Sequence, residues 1–427
     1  MQVEQKIRGV DAVALRVQLV PEPLRTQDPP PKGTPQLEVG LLTGGQDRHY
    51  AVGLVTALME ENIALDVIGG DEIDGPEFQE NPRARFCNLH GGHHSANLTR
   101  RISRILGFYA RLFRYIVTAK PQILHILWNN KLEVLDRTLL MLFYKLARKR
   151  VVLTAHNVNA GRRDKKDSRL NRITLKLQYR LTDHIFVHTN KMKEELVAKF
   201  DVGAEKVTVI PYGINNAAPS TCLTAQDARR KLGLHSNEKA ILYFGAIKPY
   251  KGLEYLVTAF HNIAARGEYR LIIAGERKKG CEEYWRAIEQ AIERDPSRNK
   301  VLQKIEFIPD AEIETYFKAA DVAVLPYTDI FQSGILFLAY TFGLPVIAAD
   351  VGSFSEDIIE GRTGFVCRPR DADDLASVVL QYFDTDLYRE LENRRQGIRD
   401  YILSKHSWDL VASRTRNVYL ALLEEEA

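Results

Sequence analysis

The sequence predicts an α/β protein with two doubly wound domains, each a parallel sheet covered by helices. Apolar segments of strand length alternate with helical segments from residue 37 almost to the end of the chain. This alternation indicates parallel strands joined by right-handed helical crossovers. The pattern relaxes across residues 214–239 and restarts with an apolar strand at 241–244. Because 427 residues also exceed one ordinary core, we expect two domains with a cleft between them.

The first set of strands lies within residues 37–213, the expected N-terminal, acceptor-side domain. Its opening strand, 36–42, leads through the turn containing Gly44 and Gly45 into the helical segment 50–61. The later strands are short apolar runs, a pattern typical of strands buried on both faces. They are predicted at 65–68, 123–126, 151–154, 184–187 and 207–211.

The second set of strands lies within residues 240–405, the expected donor-binding domain. Residues 214–239 are interpreted as a linker, and 406–427 as a C-terminal helix that packs back on the first domain. Residues 1–36 form an N-terminal extension with a proline-rich end. Strands are predicted at 241–244, 270–274, 305–308 and 322–325, after Gly343 and near Phe365, with helices at 253–265, 281–293, 312–319 and 372–383.

Composition narrows the class of protein. The hydrophobic fraction of 45% and the charged fraction of 27% are ordinary for a globular protein. No apolar run reaches the roughly 18 residues of a membrane-spanning helix, and the N-terminus lacks the pattern of a signal peptide. The net charge of +4 is too small to indicate nucleic acid. Four widely spaced cysteines, without metal-site spacing, favour reduced thiols and a cytoplasmic location: Cys87, Cys222, Cys281 and Cys367.

The most informative segment runs from Phe331 through Gln332 and Ser333 to Gly334. A buried strand at 322–325 leads into this glycine-containing turn, and an apolar helix follows it. A strand, a turn and a helix N-terminus together bind phosphate, because backbone N–H groups and the helix dipole both point at the ligand. Glycine allows the phosphate to approach the backbone closely. In doubly wound sheets such turns lie at the ligand-binding edge.

An ordered series of motifs resembles the family 4 (group 1) glycosyltransferases, which have the two-Rossmann GT-B fold. Gln-Ser-Gly replaces the usual glutamate-containing turn, as in one subgroup of that family. Residues 210–214 resemble the family's interdomain hinge, with Tyr212 in the usual asparagine position. The other matching segments are 153–157 in the first domain and 244–253, 272–276, 320–326 and 334–356 in the second.

The resemblance implies transfer of a sugar from a nucleoside diphosphate sugar to an acceptor hydroxyl, with retention, in polysaccharide, glycolipid or glycoconjugate synthesis. It implies a retaining hexosyltransferase that needs no metal and no cofactor besides the donor as co-substrate. His156 and Lys251 take catalytic positions. The residues implied to hold the donor and its diphosphate are Gly44, Gly45, Lys248, Lys251, Gly275, Gln332, Ser333 and Gly334.

Two departures from the family pattern leave the donor open. Many members carry two glutamates eight positions apart that contact the sugar and the ribose, and Ile330 and Leu338 stand at those positions here. Neither side chain accepts a hydrogen bond from a hydroxyl. Asp329 and Glu356 are alternative carboxylates for these contacts, although an acid at a helix N-terminus such as Glu356 also has a structural explanation.

Several candidate residues also have ordinary structural explanations. Lys248 and Lys251 are also explained as solvated loop lysines, Gly44-Gly45 as a plain βα turn, and His156 as a structural histidine. The segment from Asp384 to Asp386 resembles an Asp-x-Asp metal motif, but it joins two helices, where N-cap chemistry explains it.

The acceptor side is predicted from charge. Five arginines between Arg100 and Arg114 interleave with apolar residues at helical spacing, which are interpreted as a core-facing stripe. The arginines form either a solvated face or a site for anionic lipid headgroups at the inner face of the membrane. A second basic run at 162–166 is either an acceptor loop or a connection. The expected acceptor is a glycan or a lipid-linked glycan.

Two other functions stay open at this point. One is a non-catalytic GT-B protein that binds a sugar nucleotide, because both usual glutamates are missing. The other is a GT-B nucleotide-sugar epimerase. Binding without turnover on a panel of nucleotide sugars separates the first of these from a transferase.

Overall fold

The computed structural model describes residues 37–45, 47–71, 73–75, 78, 81–89, 98–163, 167–214 and 221–424. The predicted N-terminal extension therefore lies outside the described residues, as does part of the basic run at 162–166. Within these ranges the chain forms two parallel sheets, one of seven strands and one of six, with helices between successive strands. The predicted two-sheet α/β fold is confirmed.

The first sheet has the strand order β3-β2-β1-β4-β5-β6-β7. Its central strand β1 pairs on both sides, with Val39 opposite Leu65 of β2 and opposite Ile123 of β4. The strands are β1 (Leu37–Leu42), β2 (Ile63–Gly69), β3 (Ala84–Asn88), β4 (Ile123–Ile126), β5 (Arg150–Thr154), β6 (His184–Val187) and β7 (Val207–Val209).

The second sheet has the strand order β10-β9-β8-β11-β12-β13. Here β8 is the central strand, with Ile241 opposite Leu271 of β9 and Val322 of β11. The strands are β8 (Lys239–Phe244), β9 (Tyr269–Ala274), β10 (Val301–Lys304), β11 (Val322–Leu325), β12 (Val346–Ala349) and β13 (Gly364–Cys367).

Helices cover both sheets, and the last helix, Trp408–Glu424, packs on the first domain. A Cβ atom on Gly53 would lie 2.3 Å from the Trp408 ring, so this glycine permits the close approach. Within the described ranges, no helix combines the length and the apolar character needed to cross a bilayer. The longer helices are Arg48–Glu60, Leu98–Thr118, Met141–Leu146, Arg169–Leu181, Asn190–Phe200, Ala225–Lys231, Leu253–Ala264, Glu282–Arg294, Asp310–Ala319, Gly334–Thr341, Ala372–Phe383, Leu391–His406 and Trp408–Glu424.

Two predicted strand positions are corrected at the sheet edges. The strand predicted at 305–308 is instead Val301–Lys304, and Ala84–Asn88 was not predicted. Both are edge strands whose residues are half-buried or exposed. Edge strands carry polar side chains, so the apolar pattern that marks a buried strand is absent there. The segment expected as a linker, 214–239, also contains the helix Ala225–Lys231.

The expected core-facing stripe on Leu98–Thr118 is only partly correct. Tyr109, Leu112 and Ile116 are buried as expected, whereas Ile102 and Leu106 are exposed by 50% and 63%. The first sheet contacts one side of this helix, where Tyr115 OH donates to Asp66 of β2 at 2.8 Å, and only the part of the stripe on that side is buried.

The strand order reverses between β1 and β4 in the first sheet and between β8 and β11 in the second. Loops that leave neighbouring parallel strands in opposite directions open a crevice at the carboxyl ends of those strands. The two domains meet near these crevices, where Lys191 Nζ donates to the carbonyl of Gly352 at 2.6 Å and the rings of Tyr212 and Phe337 stack at 5.6 Å.

Candidate functional site

The helix Gly334–Thr341 begins in the crevice directly after the loop that follows β11. The side chain of Ser333 caps the helix, because its Oγ accepts a hydrogen bond from the Ile335 N–H at 3.3 Å. The first N–H groups of a helix lack intrahelical partners and carry the positive end of its dipole. This end of the helix is therefore suited to bind an anion.

Gly334 leaves space in front of this helix end. A Cβ atom placed there would meet Tyr212 OH at 3.8 Å, an ordinary van der Waals distance, and its backbone does not have the left-handed conformation that favours glycine. Neither packing nor backbone geometry therefore explains the glycine. The open, exposed position leaves space for a ligand to approach the backbone closely.

Lys251 lies beside this helix end, on the short 3₁₀ helix Pro249–Lys251 that follows β8. Its side chain is buried, with Nζ 5.3 Å from the centre of the Tyr327 ring. Tyr327 in turn contacts the capping residue, since Ser333 Oγ lies 3.4 Å from Tyr327 OH. A Cβ atom on Gly245 would lie 3.1 Å from Nζ. A buried ammonium group thus adds its positive charge to that of the helix end.

Two of the other predicted donor-binding glycines, Gly44 and Gly275, have a packing role, and Gly45 has a conformational one. Gly44 and Gly45 have positive φ angles of 62° and 67°, and a Cβ atom on Gly44 would lie 2.6 Å from the carbonyl oxygen of Trp128. A Cβ atom on Gly275 would lie 2.1 Å from the carbonyl oxygen of Gly245. Packing between the loops that follow neighbouring strands is therefore sufficient to require Gly44 and Gly275.

The remaining predicted donor-binding side chains are half-buried. Lys248 precedes the 3₁₀ helix, with Nζ 5.8 Å from the Tyr250 ring. Gln332 hydrogen-bonds the carboxyl group of Asp357, and its buried Oε1 has no protein partner among the described residues. Burial raises the pKa of Asp357 to about 6, and the hydrogen bonds from Ser353 and Gln332 oppose the rise. The free Oε1 is able to accept a hydrogen bond from a ligand hydroxyl.

The structure places the alternative carboxylates at the surface. Asp329 and Glu356 are both exposed. Ile330 is partly buried and packs against the core of the second domain, and Leu338 is buried. In the Asp384 to Asp386 segment the N-cap residue of the following helix is Thr385, whose side chain makes no cap hydrogen bond, so the N-cap explanation is wrong. Asp384 ends the preceding helix as its C-cap, and Asp386 begins the next one and forms an exposed ion pair with Arg389 at 3.0 Å. Among the described residues, no group of three or more His, Cys, Asp or Glu side chains is arranged to hold a metal ion.

His156 follows β5 on the opposite side of the crevice. Its ring stacks on Trp128 with centroids 4.2 Å apart and an interplanar angle of 6°, and Tyr50 contacts it edge-on at 4.6 Å. Burial, and then the charge of His188, hold the pKa of His156 well below its ordinary value. His156 is therefore a neutral group in a fixed orientation at neutral pH.

Hydrogen bonds define which ring nitrogen of His156 carries the proton. His188 Nδ1 lies 3.3 Å from the carbonyl oxygen of Ile210, and a carbonyl only accepts, so this nitrogen carries the hydrogen. In neutral His188 the lone pair is then on Nε2, which accepts from His156 Nδ1 at 3.0 Å. The lone pair of His156 is therefore on Nε2, a buried atom with no partner among the described side chains and backbone. It is suited to accept a hydrogen bond from a ligand hydroxyl.

A stability measurement tests the buried state of His188. Burial lowers its pKa to about 4 in the folded protein, against about 6.5 in an unfolded chain. Stability that is present above pH 6.5 is therefore lost as the pH falls toward 4, by up to about 2 kcal/mol between pH 7 and pH 5. We expect urea unfolding of His188→Asn to lose less stability over this range than the wild type. Equal losses in the two proteins would contradict the burial of a neutral His188.

Sequence reasoning missed several neighbours of the site, namely Tyr50, Trp128, His188 and Tyr327. One signal was available, because Trp128 lies two residues after the end of β4, as His156 does after β5, and His188 directly follows β6. Polar or aromatic residues at the carboxyl ends of parallel strands lie along one edge of the sheet. Tyr50 and Tyr327 lack such a signal, since helix and loop packing bring them to the site.

Family comparisons match each domain to a different glycosyltransferase model. Residues 43–217 match the model described as Glycosyltransferase Family 4, and residues 238–385 match the one described as Glycosyl transferases group 1. An uncharacterized glycosyltransferase of Methanocaldococcus jannaschii is 30% identical over 243 residues, which are 55% of this chain and 59% of that protein. The alignments with the first curated relatives thus span little more than half the length of those proteins.

Solved structures confirm the two-domain GT-B architecture. The sucrose-phosphate synthase from Thermosynechococcus elongatus superposes with a TM-score of 0.74 and 19% identity, over 91% of this chain and all of that one. The Anabaena protein HepE, solved in complex with UDP, superposes with a TM-score of 0.68 and 15% identity over the same shares. At these identities the likeness concerns the fold.

Proposed function

We propose that this chain, a group 1 glycosyltransferase by the models that match its two domains, transfers a sugar from a nucleoside diphosphate sugar to an acceptor hydroxyl. The observation that carries the proposal is the buried Lys251 ammonium beside the open helix end at Gly334. A solved neighbour contains UDP, which supports a nucleotide-sugar donor. The same proposal assigns the chain to the subgroup of this family in which Gln-Ser-Gly replaces the usual glutamate-containing turn.

The proposed reaction places negative charge at this helix end. The bond between the anomeric carbon and the diphosphate oxygen breaks, and a bond from the acceptor oxygen to that carbon forms. The acceptor proton goes to the leaving phosphate. Lys251 and the N–H groups that begin at Gly334 stabilise the charge that develops on the departing diphosphate. Gln332 and Ser333 hold the turn that carries these donors, and Lys248 borders it.

The proposed role of His156 is to bind a sugar hydroxyl. Its Nε2 lone pair accepts a hydrogen bond, and its low pKa makes it a weak base. A hydroxyl of the transferred sugar is able to donate to this lone pair. An ionised phosphate oxygen accepts hydrogen bonds and does not donate them, so contact with the sugar fits better than contact with phosphate. Retention of the anomeric configuration follows from the family resemblance, and NMR of the first product formed is the measurement that tests it.

A second candidate function is donor binding without transfer. The observation that favours it is the burial of Leu338 together with the packing of Ile330 against the core. These positions then provide no carboxylate to the sugar or the ribose. In this case the helix end still binds the diphosphate, but the sugar is not activated.

Thermal-shift titration with a nucleotide panel tests the proposed function. We expect one nucleoside diphosphate among UDP, GDP and ADP to raise the melting temperature by about a few degrees at saturation, because a ligand that binds only the folded state stabilises it. The matching monophosphate should shift it less, since it lacks the phosphate that contacts Lys251. The absence of a shift with every diphosphate and nucleotide sugar would contradict the proposal, and binding without turnover would support the second candidate.

A further inference from the structure

The helix Leu98–Thr118 exposes an apolar stripe. Ile102, Leu106, Phe113 and Val117 are exposed by 50%, 63%, 39% and 70%. Their spacing of four, seven and four residues places them on one face of the helix. These exposed residues border the buried side of the same helix. The apolar surface of the helix therefore extends beyond the part that the core covers.

Two neighbouring helical segments extend this stripe. Leu142 and Leu146, exposed by 43% and 82%, belong to the next segment, which contacts the first where the rings of Phe113 and Phe143 lie 4.3 Å apart. Ile173, exposed by 66%, lies on the helix Arg169–Leu181. That helix is joined to the segment through the hydrogen bond from Arg137 to Asn171 at 2.8 Å. We call the exposed side of these three helical segments, 98–118, 132–146 and 169–181, the apolar face.

Exposed apolar side chains concentrate on this face. Among the described residues, eleven of the fourteen large hydrophobic side chains that are strongly exposed lie in these three segments, and the others are Val197, Phe307 and Leu403. Single exposed hydrophobic residues are normal on a protein surface. A contiguous group of them marks a surface that another body covers.

The face is also basic. The helix Leu98–Thr118 contains five arginines and no acidic residue, and Arg169–Leu181 contains four basic residues and no acidic residue. The third segment, 132–146, adds two basic and two acidic residues, so basic residues outnumber acidic ones by eleven to two. Arg114 is exposed on the same helix as the apolar stripe. Apolar side chains bordered by exposed cations match the interface of an anionic bilayer, where the former enter the acyl boundary and the latter meet the headgroups.

We propose that the apolar face docks on an anionic lipid bilayer. A second copy of the chain is a poorer occupant, because a twofold interface brings the same patch together and sets its cations against each other. The bilayer provides an acyl layer for the apolar side chains of the face and anionic headgroups for its cations. Arg114, one of the arginines predicted for the acceptor side, then acts together with apolar side chains of three segments.

The inner side of this face holds the loops of the crevice. Tyr179 OH, on the helix Arg169–Leu181, donates to the carbonyl oxygen of Val158 at 2.6 Å, close to His156. Gln178 Nε2, on the same helix, donates to Asn129 Oδ1 at 2.7 Å, next to Trp128. A docked face therefore brings the acceptor side of the crevice to the lipid headgroups. The assignment of a lipid-linked acceptor rests on the proposed function, whereas docking does not require it.

Vesicle flotation of the full chain tests the docking. Vesicles of phosphatidylcholine alone are compared with vesicles that also contain an equal part of phosphatidylglycerol, at low and high salt. We expect binding to the anionic vesicles that weakens with salt, because screening reduces the attraction of the cations. The triple variant Leu106→Glu, Leu142→Glu, Leu146→Glu should lower the affinity at least about tenfold, since it removes apolar contact and adds charge repulsion.

The matched control is Phe307→Glu with Leu403→Glu, because these side chains are exposed by 68% and 52% in the second domain, away from the apolar face. The control should bind vesicles like the wild type. Equal binding by the triple variant, or no preference for anionic vesicles, would overturn the proposal. A dimer in sedimentation that the triple variant abolishes would overturn it in favour of a second copy. The nucleotide thermal shift, measured without vesicles, distinguishes failure of docking from failure of the proposed donor site.

Discussion

Replacing Lys251 with alanine is expected to lower kcat for sugar transfer by about 100- to 1,000-fold. The reason is that the buried ammonium lies beside the helix end at Gly334, where the leaving diphosphate gains charge. Removal of one fixed donor or cation from such a position costs about this factor in enzymes that stabilise an anion. The measurement is the rate of nucleoside diphosphate release at saturating donor and acceptor.

The control for this variant is Lys279→Ala, which removes an exposed lysine of the same domain. It should leave kcat unchanged. Melting temperatures of both variants show whether the fold is intact, so that a loss of rate in folded Lys251→Ala is attributable to the site. If folded Lys251→Ala turned over at the wild-type rate, the phosphate assignment would be wrong.

Replacing Gly334 with valine is expected to weaken donor binding by at least about 100-fold without lowering the melting temperature. The position is exposed in the free protein, and apart from the adjoining backbone the nearest atom to an added Cβ is Tyr212 OH at 3.8 Å. A ligand phosphate on the helix N–H groups needs that same space. Gly334→Ala should give a smaller loss. Calorimetric titration with the nucleoside diphosphate measures both.

The control is Gly397→Val, at another helical glycine where an added Cβ atom meets nothing within 4 Å. This variant tests whether replacing any helical glycine by valine weakens nucleotide binding. We expect it to bind the nucleoside diphosphate with the wild-type affinity. Unchanged affinity in folded Gly334→Val would show that the diphosphate lies elsewhere.

The central strands were predictable because complete burial produces a continuous apolar run in the sequence. Strands such as Val322–Leu325 and Val346–Ala349 are fully buried, so their residues are continuously apolar and their ends are visible in the sequence. The edge strands Ala84–Asn88 and Val301–Lys304 face solvent on one side and lack this pattern. Predictions therefore failed at the sheet edges, where pairing rather than composition defines the strand.

The candidate site was predictable only in part. The turn at Gln332 to Gly334 was found because strand, turn and helix N-terminus are adjacent in sequence. Its contact with Lys251 through Tyr327 joins the loops after β8 and β11, which are far apart in the chain. The hydrogen bond between His156 and His188 likewise joins two strand ends. Such contacts depend on which strands neighbour each other, and a single sequence does not state this.

The apolar face shows the same limit for helices. Helical spacing correctly predicts that Leu98–Thr118 is amphipathic, but it does not tell how much of the stripe a neighbour covers. Leu112 and Leu106 are both apolar residues of this helix, yet the first is fully buried and the second 63% exposed. Leu112 belongs to the core cluster that packs on the first sheet, whereas Leu106 lies outside that cluster.

The most direct measurement is the release of nucleoside diphosphate from the nucleotide sugar that binds, compared between the wild type and the two site variants. We expect the wild type to consume this donor and to accelerate with a glycan or lipid-linked acceptor. Lys251→Ala and Gly334→Val should both lose the activity while remaining folded. A donor that binds the wild type but is never consumed with any acceptor, or equal release by all three proteins, would contradict sugar transfer at this site.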